Sequence, residues 1–461
     1  MTKVGDRRSP GFKSAFILAL VPSVIYLITR LWGIRDFPAF FFSDEANNVL
    51  FGEQVIQNGF VGQDGSLLPV YFEWDHQRWA PVLPVYLDGS TSSLFGKSIL
   101  VARATTSLLS FLGAVAVSIL LKEIFRIRAW WAAIFFLAIM PAWFLYSRTA
   151  FETVVATAFF AWFLLCYLLY RYRSAKWIYA SVAFGAAAFY SYSNQQLPLL
   201  FLSVVLFVSD FKYHQMHKDE LLRATLLAFL LALPFIQFQA LHPSGHADHL
   251  RAIHSYWVEP NPFGEKLQTF AANYLRGISP RYWFFVINDE SNQLPNQHLP
   301  NSGNLGWYLI PFVLVGLTIC FVRFRDPAHR TIIFSALVIP VGAAIDSIEI
   351  PRVLAFVVPA AVMASLGLEQ IYVYRGRIPE KLITIALQLA FSFAAGAMLV
   401  TALMNGPDWV TRHSPGSKEF AVKPVFEERL PELLEAEEDG KFHPLHDLGE
   451  QGGNLSTLLP R

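Results

Sequence analysis

The chain has 461 residues, of which 54% are hydrophobic and only 15% charged, and its mean hydropathy is +0.39. A soluble domain carries about 25% charged residues. The composition therefore excludes an ordinary soluble protein and predicts an all-α protein that crosses a membrane many times. The net charge of +1, without a basic patch interleaved with aromatics, gives no indication of nucleic-acid binding. The two cysteines, Cys166 and Cys320, lie inside apolar runs and are too few for a disulfide framework.

Eleven apolar stretches predict transmembrane helices, some of them short. They lie near residues 12–31, 98–121, 128–147, 150–170, 175–193, 196–211, 219–240, 305–322, 331–348, 352–372 and 381–403. The first stretch has no small-residue cleavage site, so we expect it to stay attached rather than to be removed as a signal peptide. The spans make residues 1–403 one transmembrane domain, followed by a short acidic tail at 404–461.

Lys and Arg residues in the connections predict the orientation of the chain. With the N-terminus in the cytoplasm, every inner connection carries three Lys or Arg residues, whereas the three short outer connections hold only Arg148 and Arg352 between them. This arrangement satisfies the positive-inside rule for a multi-pass protein of the cytoplasmic membrane. It places two long loops, 32–97 and 241–304, and the acidic tail on the outer face.

Two adjacent carboxylates, Asp44 and Glu45, follow the first predicted helix at the outer edge of the membrane. Ionisable groups near hydrocarbon are costly, so the pair is a functional-site hypothesis. Apolar residues recur near helical spacing from Glu45 to Asn58, and a second apolar run covers 81–95. Both patterns predict helices that lie along the membrane interface.

Other polar and ionisable side chains gather at the same predicted outer level. They are Glu73, Asp75, His76 and Arg78 in the first long loop; His242, His246, His249 and His254 in the second; and Arg148, Glu152, the stretch SYSNQQ at 191–196, Asp346, Glu349 and Arg352 on the short turns. The predicted inner side carries basic residues and little else.

Four motifs along the chain resemble one known family. They read FSDEANNVLFGEQVIQNG, then YFEW followed by PVLPVYLDGSTSSLFG, then YSRTAFETVV, and late in the chain IPRVLAFVVPAA. Their order resembles the GT-C glycosyltransferases of the lipid-phosphosugar-dependent, family 39-like group, which includes protein O-mannosyltransferases and lipid A aminoarabinose transferases. The resemblance covers roughly residues 12–372. The sequence departs from it at EWDHQRWAP, where many relatives have an EKPP-like segment.

The resemblance implies a GT-C fold and an activity that moves a hexose or pentose from a polyprenyl-phosphate carrier to a lipid, glycan or protein acceptor on the outer face. Such an inverting displacement needs a carboxylate that takes the acceptor proton and positive charge that stabilises the leaving phosphate. Asp44 matches the first acid of the family, so it is predicted to be the general base or to orient the acceptor, with Glu45 in support. The alternative is that the pair merely stabilises the N-terminus of a helix.

Three arginines are candidates to bind the carrier phosphate, because a guanidinium can hold a phosphate through two parallel hydrogen bonds. They are Arg148, Arg281 and Arg352, of which Arg352 matches the late arginine of the family. Glu152, at the start of a predicted span, is a further substrate-binding candidate. The alternative for Arg148 is an ion pair with Glu152 four residues later.

The first long loop carries three further candidates, Glu73, Asp75 and His76. We expect them to hydrogen-bond the sugar or to bind a divalent metal ion, which is the one cofactor left open. The alternative is that they belong to a solvated loop without a role in binding. His242, His246 and His249 have a spacing that suits a metal on a helix, but Pro243 and Gly245 interrupt its first part. The metal ligands stay unassigned.

Three competing functions remain open. A transporter or flippase of lipid-linked sugars would show repeated halves and broken helices at mid-membrane, and no repeated half is visible. A non-catalytic subunit of an envelope assembly would keep the fold without needing the acids. An oligosaccharide transferase or O-antigen ligase would use a pyrophosphate carrier. A nucleotide site is not expected, since the chain has no Walker A loop.

Overall fold

The computed structural model describes residues 12–38, 41, 43–62, 65–73, 79–285, 299 and 302–413. These residues form helices and one short antiparallel hairpin of β1 (Tyr71–Glu73) with β2 (Trp79–Pro81). In chain order the helices are α1 (Phe12–Leu31), α2 (Ser43–Gln57), α3 (Leu83–Phe95), α4 (Ile99–Leu120), α5 (Ala132–Ile139), α6 (Pro141–Tyr146), α7 (Glu152–Tyr172), α8 (Trp177–Phe189), α9 (Ser193–Ser209), α10 (Phe211–Met216), α11 (Lys218–Leu241), α12 (Gly245–Ala252), α13 (Phe263–Ile278), α14 (Pro280–Phe284), α15 (Ile310–Val322), α16 (Pro327–Ala344), α17 (Ile350–Val353), α18 (Val357–Val373) and α19 (Glu380–His413).

Helices occupy all eleven stretches that hydropathy predicted, and the all-α polytopic membrane fold is confirmed. Among the described residues, six helical segments are long and apolar enough to cross a membrane: Ile99–Phe125, Glu152–Tyr172, Lys218–Leu241, Pro327–Ala344, Ile350–Val373 and Glu380–Met404. Shorter apolar helices occupy the other five stretches. The count of eleven spans therefore stays a prediction.

The segment predicted as one helix at 128–147 is broken in the middle. Met140 has an extended backbone (φ −71°, ψ 118°) between α5 and α6, because the ring of Pro141 disfavours helical geometry in the residue before it. The guanidinium of Arg30 donates to the carbonyl of Leu137 at 2.8 Å, one of the carbonyls left free where α5 ends. At the other end of the chain, α19 continues past the predicted boundary at residue 403 to His413.

The hydrophobic core lies around α5, α7 and α18. The apolar stretch of α7 is 89% buried, whereas that of α11 is 11% buried and that of α19 is 22% buried. Large apolar side chains on the outer helices, such as Leu222 and Phe393, are exposed. An apolar surface of this kind suits contact with lipid, so α11 and α19 belong to the periphery of the bundle.

The helix α2, which carries the predicted catalytic pair, is packed into the protein. Its residues from Glu45 to Phe51 are buried on every side of the helix. Gly52 and Gly89 let α2 and α3 approach closely, since a Cβ on Gly52 would lie 2.3 Å from the carbonyl oxygen of Val85. The packing of α2 along its length therefore sets the position of Asp44 in its first turn.

Candidate active site

A polar cavity of about 200 Å³ lies where α2, α7 and α9 begin. Its walls include Asp44 from the first turn of α2, Glu152 from the first turn of α7 and Arg352 from α17. These three predicted site residues come from sequence segments more than a hundred residues apart. The structure brings them to one space, which makes this cavity the candidate active site.

Glu45 faces away from the cavity and into the protein. Its carboxylate forms a two-pronged ion pair with Arg103 of α4, with Nε and Nη2 of Arg103 each 3.0 Å from one oxygen. It also accepts a hydrogen bond from the backbone N–H of Ala150 at 2.8 Å. Both side chains are completely buried. Glu45 thus joins α2 to α4 and to the turn before α7, and it positions its neighbour Asp44.

The same Arg103 fixes the chain that leads into α2. Its Nη1 donates to the backbone carbonyls of Ile34 at 3.0 Å and Pro38 at 2.9 Å. Arg103 was not among the residues predicted to form the site. An arginine inside an apolar span was the signal, because a buried charge needs a partner.

Arg148, which was predicted to bind the carrier phosphate, is not part of the cavity wall. It is fully buried, and it donates to the backbone carbonyls at the end of α1 and just after it. The acceptors are Thr29 at 2.7 Å, Arg30 at 3.1 Å, Trp32 at 2.9 Å and Phe37 at 3.1 and 3.2 Å. These contacts use all five N–H groups, so none is left for phosphate or for the alternative partner, Glu152. Arg148 caps the carbonyl end of α1.

Arg352 holds its protein partners through one nitrogen. Its Nη1 lies 3.6 Å from the carboxylate of Glu349 and 3.3 Å from the carbonyl of Ser347, and it also pairs with Asp346 and the Ser347 hydroxyl. Within the part of the chain that the structure describes, all of its hydrogen bonds and ion pairs involve Nη1, and none involves Nη2 or Nε. That edge of the guanidinium has the geometry to receive two oxygens of a phosphate.

Asp88, a buried acid that was not predicted to belong to the site, adds to the carboxylates near the cavity. It lies in α3 and is 2% exposed. Burial, together with the carboxylates of Glu45 and Glu152, raises the pKa of Asp88 well above its usual range. This surrounding favours the neutral, protonated form of the carboxyl group over the charged one. An aspartate inside the apolar run at 81–95 was the available signal.

Two further predicted site residues, Glu73 and Arg281, do not line the polar cavity. Glu73 is on β1, where it pairs with Trp79 of β2, and it is β2 that lines the cavity, through Trp79, Ala80 and Pro81. Arg281 is exposed on the short helix α14, so its role in binding the carrier phosphate stays a prediction. Asp75 and His76 lie outside the described residues.

A second cavity of about 260 Å³ adjoins the first and is mostly apolar. It shares Trp79, Asn194 and His249 with the polar cavity and extends toward Leu200 on the exposed face of α9. Burial lowers the pKa of His246 in its wall, which favours a neutral imidazole. No group of three or more His, Cys, Asp or Glu side chains among the described residues could hold a metal ion.

Neither a family model nor a curated protein sequence matches the chain. Several solved structures, however, are similar to the chain. ArnT from Cupriavidus metallidurans in its apo state has a TM-score of 0.53 at 13% identity, over 96% of this chain and 75% of that one. The same enzyme bound to undecaprenyl phosphate has a TM-score of 0.50 at 14% identity, over 94% and 82%.

The archaeal oligosaccharyltransferase AglB from Archaeoglobus fulgidus, in complex with an inhibitory peptide and a dolichol-phosphate, is also similar. Its TM-score is 0.50 at 15% identity, over 87% of this chain. This chain spans 56% of the length of AglB. These solved structures are GT-C glycosyltransferases, and the likeness shows that this chain has the GT-C fold.

Proposed function

We propose that this protein is an integral membrane glycosyltransferase that moves a sugar from a polyprenyl-phosphate carrier to an acceptor. The observation that carries the proposal is the convergence of Asp44, Glu152 and Arg352 on one polar cavity. A displacement at a sugar phosphate needs a base and a cation in one space. The undecaprenyl phosphate in ArnT and the dolichol-phosphate in AglB support a lipid phosphate as the carrier.

In the proposed reaction, an oxygen of the acceptor attacks the anomeric carbon of the sugar. The new bond joins that carbon to the acceptor, and the bond from the carbon to the phosphate oxygen breaks, with inversion. Asp44 takes the acceptor proton, and the phosphate leaves with both electrons of the broken bond. The open edge of Arg352 stabilises the charge that develops there. Glu45 takes no part in the bond changes but holds the first turn of α2 in place.

The chemistry is assigned to the outer face of the cytoplasmic membrane. The distribution of Lys and Arg supports a cytoplasmic N-terminus, and the short connections that this orientation puts outside are the ones that carry Glu152, Asn194 and Arg352.

The test is mass spectrometry of lipid-linked sugars and envelope glycans from cells that express the wild type or Asp44→Asn. We expect the variant to accumulate a polyprenyl-phosphate sugar while one glycan loses a residue. Glu265→Gln is the matched control, because Glu265 also lies in the first turn of a helix, α13, but on an exposed surface. If Asp44 only stabilises a helix end, the two variants should behave alike.

The competing transporter function makes a different prediction. A flippase would move lipid-linked sugar across vesicles without covalent change to any acceptor. An unchanged glycan profile in Asp44→Asn, with the protein present in the membrane, combined with such movement, would replace the enzyme proposal with transport.

A further inference from the structure

The N-terminus of α9 faces the polar cavity and carries no negative charge of its own. Ser193 and Asn194, the first two residues of α9, line the cavity. The helix has no side-chain cap and no acid in its first turn, whereas α7 begins with Glu152. Among the described residues, no acceptor faces the backbone N–H of Ser193 or Asn194. The first amides of a helix carry partial positive charge and bind anions.

A second observation at the same cavity is the hydroxyl of Tyr146. The side chain lines the cavity and is 2% exposed, yet its hydroxyl has no hydrogen-bond partner among the described residues. Buried polar groups are normally paired, so an unpaired hydroxyl in a cavity wall points to a ligand that supplies the partner.

These groups lie together around Tyr192. Its phenol is 3.5 Å from the side-chain nitrogen of Asn194 and within electrostatic range of Tyr146 and Arg352. The placement is firm, because α16 touches the start of α9: a Cβ on Gly342 would lie 2.3 Å from the carbonyl oxygen of Asn194. Backbone amides, a hydroxyl and a guanidinium edge therefore border one space.

Each of the two neighbouring carboxylates lies beside a positive charge or beside the positive end of a helix dipole. Glu349 lies 3.6 Å from Arg352 and accepts a hydrogen bond from Ser347 at 3.0 Å. Glu152 lies in the first turn of α7, where the helix dipole favours an anion. Unlike α2 and α7, whose first turns carry acids, α9 thus begins at the cavity without a negative charge.

We propose that the N-terminus of α9 and the Tyr146 hydroxyl complete, with the open edge of Arg352, the binding site for the phosphate of the lipid carrier. This inference rests on the proposed function, since it names the phosphate of that donor as the ligand. It assigns Ser193 and Asn194 as donors to the phosphate and separates them from Asp44, which acts on the acceptor.

The test measures binding of undecaprenyl phosphate and of uncharged undecaprenol to the full chain in lipid nanodiscs. Asn194→Asp places a negative charge at the second position of α9, where a helix tolerates or favours it, so the fold is kept. We expect undecaprenyl phosphate to bind about tenfold or more weakly, because like charges a few ångströms apart repel strongly in a partly buried site. Binding of undecaprenol should not change.

Gly264→Asp is the matched control. It adds the same charge at the same position of another helix, α13, where no heavy atom lies within 4 Å of a new Cβ. The control should bind both lipids as the wild type does. If Asn194→Asp also binds undecaprenyl phosphate as the wild type does, the assignment to α9 is wrong, although a wild-type preference for the phosphate would leave the proposed function standing.

A wild type that binds the two lipids equally would refute the carrier proposal and this inference together. Inorganic phosphate that competes as well as undecaprenyl phosphate would assign the site to free phosphate and overturn the lipid carrier.

Tyr146→Phe tests the second group of the site. Removing an unpaired buried hydroxyl should raise the melting temperature of the ligand-free protein, while undecaprenyl phosphate should bind several-fold more weakly. A raised melting temperature with unchanged affinity would show that Tyr146 is not a ligand.

Discussion

Replacing Glu45 by glutamine should destabilise the protein rather than stop the chemistry alone. Glutamine keeps the shape of the side chain but removes the charge that faces Arg103 across two 3.0 Å contacts. Its amide would also point N–H groups at Arg103 or at the N–H of Ala150, which are themselves donors. Both members of the pair are completely buried, and breaking a buried pair from one side costs about 3–5 kcal/mol.

The two cysteines offer an assay for this loss. Cys166 and Cys320 are buried, so a thiol-reactive fluorophore in detergent reports unfolding as the temperature rises. We expect Glu45→Gln to melt several degrees below the wild type. The neighbouring change Asp44→Asn lies in the cavity wall and should melt close to the wild type while it abolishes transfer.

A double variant separates lost charge pairing from lost shape. Replacing both Glu45 and Arg103 by methionine leaves no buried charge, so it should recover part of the stability that Glu45→Gln loses. If Glu45→Gln melts like the wild type and still fails to transfer sugar, Glu45 acts in the chemistry itself and not through its pair with Arg103.

Three further predictions use the same melting assay. Arg148→Lys should lower the free energy of unfolding by at least about 2 kcal/mol, because a lysine replaces five N–H contacts with three. Arg281→Lys on the exposed helix α14 should not change the stability. Equal melting of the two variants would contradict the capping role of Arg148. Gly52→Ala should lower the free energy of unfolding by about 1–3 kcal/mol or more, since its Cβ would lie 2.3 Å from a carbonyl oxygen of α3. Gly264→Ala should be neutral or stabilising. A Gly52→Ala variant as stable as the wild type would refute the close contact between α2 and α3. Because burial raises the pKa of Asp88 above its usual 3.8, that group stabilises the fold most below about pH 4 and less as the pH rises. Asp88→Asn should therefore have a higher melting temperature than the wild type at pH 8, and this difference should shrink toward pH 4. A difference in melting temperature that does not depend on pH would show that Asp88 does not titrate.

Hydropathy was enough to predict eleven stretches of this protein that contain helices. An apolar stretch of sufficient length has few stable alternatives in a bilayer, because every backbone group must be hydrogen-bonded within the segment. All eleven predicted stretches contain helices, and six of the helical segments among the described residues are long enough to cross a membrane. The break at Met140 was readable as well, from the proline that follows it, although the hydropathy average hid it.

The site was predictable in part. Asp44, Glu152 and Arg352 were named from motifs, and they meet in the cavity. Arg148 belongs to the same motif as Glu152, yet its guanidinium points to the carbonyls of α1.

Local pattern does not reveal such differences. Whether a charged side chain binds substrate or holds the fold depends on which groups surround it, and those come from segments far away in the chain. Adjacent residues show this most clearly. Asp44 lines the cavity while Glu45, one position later on the helix, is turned by about 100° into the partner arginine. The anion-binding end of α9 likewise follows from where the helix begins relative to Tyr146 and Arg352, a relation that only the packing of α9 against α16 establishes.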